Sequence, residues 1–152
     1  MTGTIKDIAD LCMKTQDLIR QGRQLLLDLL HVLEAYTKVP FRYEDSVRVQ
    51  VLPGTFEVYL LFGGGIVPHF YIPDSSYVNI AADSLSQPKS DITDEHILAV
   101  LKSLPEHLKR LKNLLTSEHN MLQKVIDELK AYLDLPEVAA VLVSERLQKG
   151  EY

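Results

Sequence analysis

Residues 46–72 read SVRVQVLPGTFEVYLLFGGGIVPHFYI, and this stretch decides the fold. Val47, Val49 and Val51 alternate with Arg48 and Gln50, the period-two pattern of a half-buried strand. Pro53-Gly54 fits the central pair of a type II turn, Pro supplying φ near −65° and Gly the positive φ. Residues 55–62 then form a return strand, and their nearly continuous apolar character suggests a central position. After Gly63-Gly64-Gly65 a third strand spans 66–72, with Pro68 marking an edge or a bulge because it has no ladder donor. Residues 77–81 add a short fourth candidate. The whole is an antiparallel meander of three or four strands.

Outward from this stretch the periodicity changes. Towards the N-terminus, Ile8, Leu11, Thr15, Leu18, Gly22, Leu25, Leu29, Val32 and Tyr36 keep alternating spacings of three and four, a heptad pattern. A second line, Cys12, Ile19, Leu26 and Leu33, runs beside it and makes the apolar stripe wide. A helix is predicted over 5–37, with Thr4 as its N-cap and Asp7 in its first turn, ending before Pro40. Towards the C-terminus, residues 82–92 read as a polar loop. Asp91 or Thr93 then caps a helix over 93–102. Ser103-Leu104-Pro105-Glu106 and Asp134-Leu135-Pro136-Glu137 carry capping signatures, so further helices are predicted over 104–133 and 136–148. The line from Ile97 to Tyr132 keeps its register across Pro105, so one kinked helix over 93–134 is the alternative.

The expected fold class is therefore α+β: two long antiparallel helices, a small antiparallel sheet inserted between them, and two short helices in the C-terminal half. At 1.5 Å per residue each long helix is about 45–48 Å, whereas a sphere of this chain length is about 38 Å across. One elongated domain over 1–152 is expected, with a long helix to 38, the sheet over 45–81, the loop over 82–92 and helices over 93–148.

Composition limits the chemistry. The 152 residues are 46% hydrophobic and 24% charged, with a formal net charge of −5. No basic residue lies between Arg48 and Lys89, so this region is poorly suited to neutralising phosphates, and no nucleic-acid partner is expected. Lys109, Arg110 and Lys112 read as the solvated face of a helix. The N-terminal residues lack a basic-then-apolar signal pattern, and the longest uncharged run is too short for a membrane helix. A soluble, cytoplasmic protein without a membrane partner is expected, and the single Cys12 agrees with a reducing compartment.

No cofactor, metal or catalytic set is expected. His96, His107 and His119 each follow a glutamate, but their spacing does not bring two ligands to one metal on a helix. The glycine run leads into a strand, without the helix and Lys of a phosphate-binding loop. His69 and Tyr71 share one strand face opposite Phe70, with Asp74 close behind, a set capable of acid–base work.

Three functions follow from these residues. The first is a non-enzymatic interaction or assembly protein, a homodimer through helix packing with room for another protein partner. Its candidate surface is Cys12, Ile19, Leu26 and Leu33 of the helical stripe, with Phe62 and Phe70 of the sheet. The second is a regulatory domain binding a small ligand between sheet and helices near Tyr59, His69 and Tyr71. The third is an enzyme using His69 and Tyr71. The order helix, antiparallel hairpins, helix is similar to that of prefoldin-type chaperone subunits. That resemblance lies in the architecture, with no local motif such as VLPGTF or LFGGGIVPHFYIP carrying it, and it implies a holdase-like role.

Overall fold

A computed structural model describes residues 2–73, 77–87 and 91–150. The element order is α1 (Thr2–Tyr36), β1 (Tyr43–Val51), β2 (Gly54–Gly63), β3 (Ile66–Ile72), β4 (Val78–Ala81), α2 (Ala82–Ser86), α3 (Asp94–Leu133) and α4 (Pro136–Lys149). The fold is α+β. The chain divides into two compact units, Met1–Lys109 and Arg110–Tyr152, with the boundary inside α3.

In the first unit the strands form one antiparallel meander in the order β1-β2-β3-β4. Side chains alternate across it. One face carries the pairs Val47↔Val58 and Tyr43↔Phe62 between β1 and β2, Leu60↔Phe70 between β2 and β3, and Phe70↔Ile80 between β3 and β4. All of these side chains are buried. The Tyr43 and Phe62 rings lie 5.0 Å apart. Each such side chain taken fully out of water contributes about 1.5–3 kcal/mol. The first part of α3 reaches this face through His96, whose ring meets Phe56 edge-on at 6.3 Å, and through His107, 6.0 Å from the Phe70 ring. Leu26, Leu30 and Leu33 of α1 are buried, and α1 packs on β3 and α2.

Local chemistry explains the ends of the elements. Thr93 caps α3: its Oγ1 accepts from the His96 backbone N–H, and His96 Nδ1 accepts from the Thr93 N–H. A histidine thus takes the part that Glu plays in a capping box. The β2–β3 hairpin turns on Gly63, Gly64 and Gly65, all at positive φ, where a side chain is disfavoured.

Several expectations are corrected. The β1–β2 turn centres on Leu52-Pro53, joined by a cis peptide bond, because Val51 pairs with Gly54. Gly54 is thereby the first residue of a strand instead of a turn residue at positive φ. For Pro68 only the edge alternative fails: β3 is an interior strand, and the expected bulge is present where the β2–β3 register shifts, before the first β4 pair at His69. Residues 82–86 of the expected loop are the short helix α2, which buries Ala82 and Leu85; residues 88–90 lie outside the described residues. Residues 94–133 form one helix through Pro105. Proline inside a helix costs about 3 kcal/mol. Packing outweighs that cost, because Val100 and Ser103 before the proline and His107 after it are all buried. Thr4 lies inside α1, which begins at Thr2. The cap of α4 is Leu135, not Asp134, since Pro136 at the first helical position holds its predecessor extended.

Candidate functional site

The period-two alternation places Tyr59, His69 and Tyr71 together on the second face of the sheet. Tyr59 pairs with Tyr71 across β2 and β3, with ring centroids 5.9 Å apart, and the Tyr71 ring stacks on Tyr77 at 6.4 Å. Ser46, opposite Tyr59, donates to the Glu57 carboxylate at 2.9 Å. His69 Nδ1 is 2.9 Å from the Val67 carbonyl of its own strand, which requires that nitrogen to carry the proton and donate. This face is opposite the one that α1 and α3 cover. A pocket between sheet and helices is therefore not lined by Tyr59, His69 and Tyr71. Asp74 lies outside the described residues. Among the described residues, no hydrogen bond or ion pair ties His69 to an acidic side chain.

The stripe on α1 divides differently from the expectation. Ile19, Leu26 and Leu33 are buried, as are Phe62 and Phe70, so these five belong to the core. Cys12 is exposed. A helix of this kind presents only one face to the sheet, and here that face carries Ile19, Leu26, Leu30 and Leu33. The apolar line left to solvent is the other one: Ile8, Leu11, Leu18, Leu25, Val32 and Tyr36, joined by Ile5. At Gly22 this line meets α3. A Cβ there would stand 2.4 Å from Leu101 Cδ1, so a larger residue would have to turn the end of that leucine aside. From Gly3 to Leu18 every residue of α1 is exposed.

In the second unit many apolar side chains also stay in water. Met121, Leu122, Val125, Ile126, Leu129, Tyr132 and Leu133 of α3 are exposed, and α4 has no buried residue. A helix normally draws most of its stability from packing such a face, and large exposed apolar areas mark sites of association.

Two further features escaped sequence reasoning. His107 is fully buried, with Nδ1 3.2 Å from an Asp45 carboxylate oxygen across the α3–β1 contact. A histidine read only as one of three that follow a glutamate gave no hint of its acidic partner sixty-two positions away. A cleft of about 490 Å³ opens where α1 ends, lined by Leu33, Glu34 and Lys38 on one side and by Gly65, Ile66 and Val67 of the hairpin on the other. The glycine run was the only signal for it, and it read as a plain turn.

No group of three His, Cys, Asp or Glu side chains among the described residues could hold a metal ion. No helix among them is long and apolar enough to cross a membrane. The chain matches no family model, no curated protein and no solved structure.

Proposed function

We propose that the protein is a non-enzymatic interaction or assembly protein that works through helix packing. The observation that supports this reading is the apolar line of α1. It keeps heptad spacing, and Ile8, Leu11 and Leu18, then Leu25, Val32 and Tyr36, lie in water on either side of Gly22, where Leu101 packs, although the sheet-facing side of the same helix is already covered. Leu11 is 62% exposed while Leu26, on the neighbouring line, is 1% exposed. Single exposed apolar residues are ordinary on protein surfaces, but a line of them at helical spacing is the surface a partner helix covers. The exposed side chains of α3 beyond Met121 add a second surface of the same kind. The test is light scattering on the full chain at tens of micromolar, with affinity capture from a native extract. Self-association, or reproducible recovery of one protein partner that Leu11→Asp abolishes, supports the reading. A monomer with no such partner overturns it.

The cleft at the end of α1 favours a second reading, a domain that binds a small ligand there. Its apolar side walls and the pair Glu34 and Lys38 suit a ligand with both an apolar body and a charged group. A thermal-shift screen that finds a stabilising metabolite, with the shift lost in Lys38→Ala, supports it. A screen without any hit removes it.

A further inference from the structure

Residues 3–18 of α1 carry more than an apolar line; their side chains specify what covers it. Ile8, Leu11 and Thr15 form the seam. Asp7 and Lys14 flank it on one side, Ile5 and Cys12 on the other. Ile8, Leu11, Cys12 and Thr15, with Gln16, surround an open groove of about 400 Å³. The first four stand at positions i, i+3, i+4 and i+7, the four sides of the hole into which a knob of a facing helix inserts. The free seam ends beyond Leu18, since Leu101 occupies it at Gly22.

We infer that this segment is a self-association site whose occupant is the same segment of a second copy, packed antiparallel. The inference deepens the assembly reading above and rests on it. In this pairing Ile8 lies level with the partner's Leu11 and enters the hole beside it, while Thr15 lies level with the partner's Thr4. Asp7 comes beside the partner's Lys14, and the two-fold axis repeats that pair, as an isologous interface requires. On the other flank Ile5 meets the partner's Cys12. Sliding the pair by one heptad in one direction opposes Asp7 to Asp7, and in the other Lys14 to Lys14. A parallel pair would set Lys14 beside the partner's Ile19, which is already buried in its own chain. Charge thus selects the register, as flanking charges do in helix pairs generally, and the burial of Ile19 selects the orientation.

The test uses the full chain with Asp7→Lys, Lys14→Asp and the double swap, by sedimentation equilibrium. All these positions are exposed, so circular dichroism should match the unaltered protein. Each single variant replaces two attractive pairs by two repulsive ones and should weaken the dimer about tenfold. The double variant restores opposite charges and should return to within about twofold of the original. Interaxial spacing in such pairs is about 8–10 Å, so Ile5→Cys should join to native Cys12 of the second copy through a thiol cross-linker of about that length. Cys12→Ser in the same background should abolish the covalent dimer. A dimer whose double swap stays as weak as the single variants, or that forms no such cross-link, overturns this inference and leaves the assembly reading standing. A monomeric protein that captures a different partner through Leu11 also overturns the inference alone. A monomer without any partner overturns both.

Discussion

Replacing Gly63 by alanine should separate two physical costs when it is compared with the same change at Gly65. Gly63 has φ +84°, and a Cβ there would stand 2.2 Å from the Phe41 carbonyl oxygen and 2.8 Å from Val39 Cγ2. Gly65 has φ +86° and nothing within 4 Å of an added Cβ. Both variants force an L side chain into the left-handed region, at roughly 1–2 kcal/mol. Only Gly63→Ala must also push a backbone carbonyl aside, and relieving an overlap of that kind costs typically about 1–3 kcal/mol. The expected losses are therefore about 2–5 kcal/mol at Gly63 and about 1–2 kcal/mol at Gly65. Urea unfolding followed by circular dichroism measures both, and an unchanged m value shows that each fall in midpoint is a fall in stability. Equal losses at the two positions would refute the reasoning, because they would mean that the segment after α1 does not pass over Gly63 as the structure has it.

Neighbouring residues of α1 should respond in opposite ways. Leu26→Ala removes a 1% exposed side chain and should cost about 2–5 kcal/mol by chemical denaturation. Leu25→Ala, at 65% exposed, should leave that stability within about 0.5 kcal/mol. His107→Leu fills the same space but takes away the hydrogen bond to Asp45, so unfolding should become easier by about 1–3 kcal/mol; no change in the thermal midpoint would contradict a formed pair. Pro105 is exposed within a continuous helix, and Pro105→Ala should raise the urea midpoint by an amount equivalent to as much as about 3 kcal/mol. A lowered midpoint would show that the proline supports the helix it interrupts.

These cases also show what the chain of residues made readable. The sheet was legible because valines, phenylalanines and tyrosines alternate with polar residues, and β3 has the bounds its pattern predicts. The sharing of one sheet face by His69 and Tyr71 followed from the same period. The division of labour on α1 was not legible, since both its lines are apolar. Which line is buried depends on where the sheet lies, and no local pattern carries that. Pro53-Gly54 misled because local turn preference points one residue later than the pairing of Val51 with Gly54 demands. Pro105 resembled a helix start in its short-range signature, yet burial on both sides of it decides for one helix. The Asp45–His107 contact was invisible because it joins a strand to a helix far along the chain. The helical surface proposed for association was therefore recognised as a helix from sequence, while its exposed side required the fold.

β1 lies at the edge of the sheet and is nine residues long, long enough to act as a template for a foreign strand. The Lys102 ammonium donates to the Gln50 carbonyl on that strand, 3.1 Å away. An added strand would have to displace this group and strand its charge inside a growing ladder. The opposite edge, β4, has four residues and offers little length to copy. Crowded copies of this chain thus meet a guarded border along the sheet, which disfavours growth into fibres.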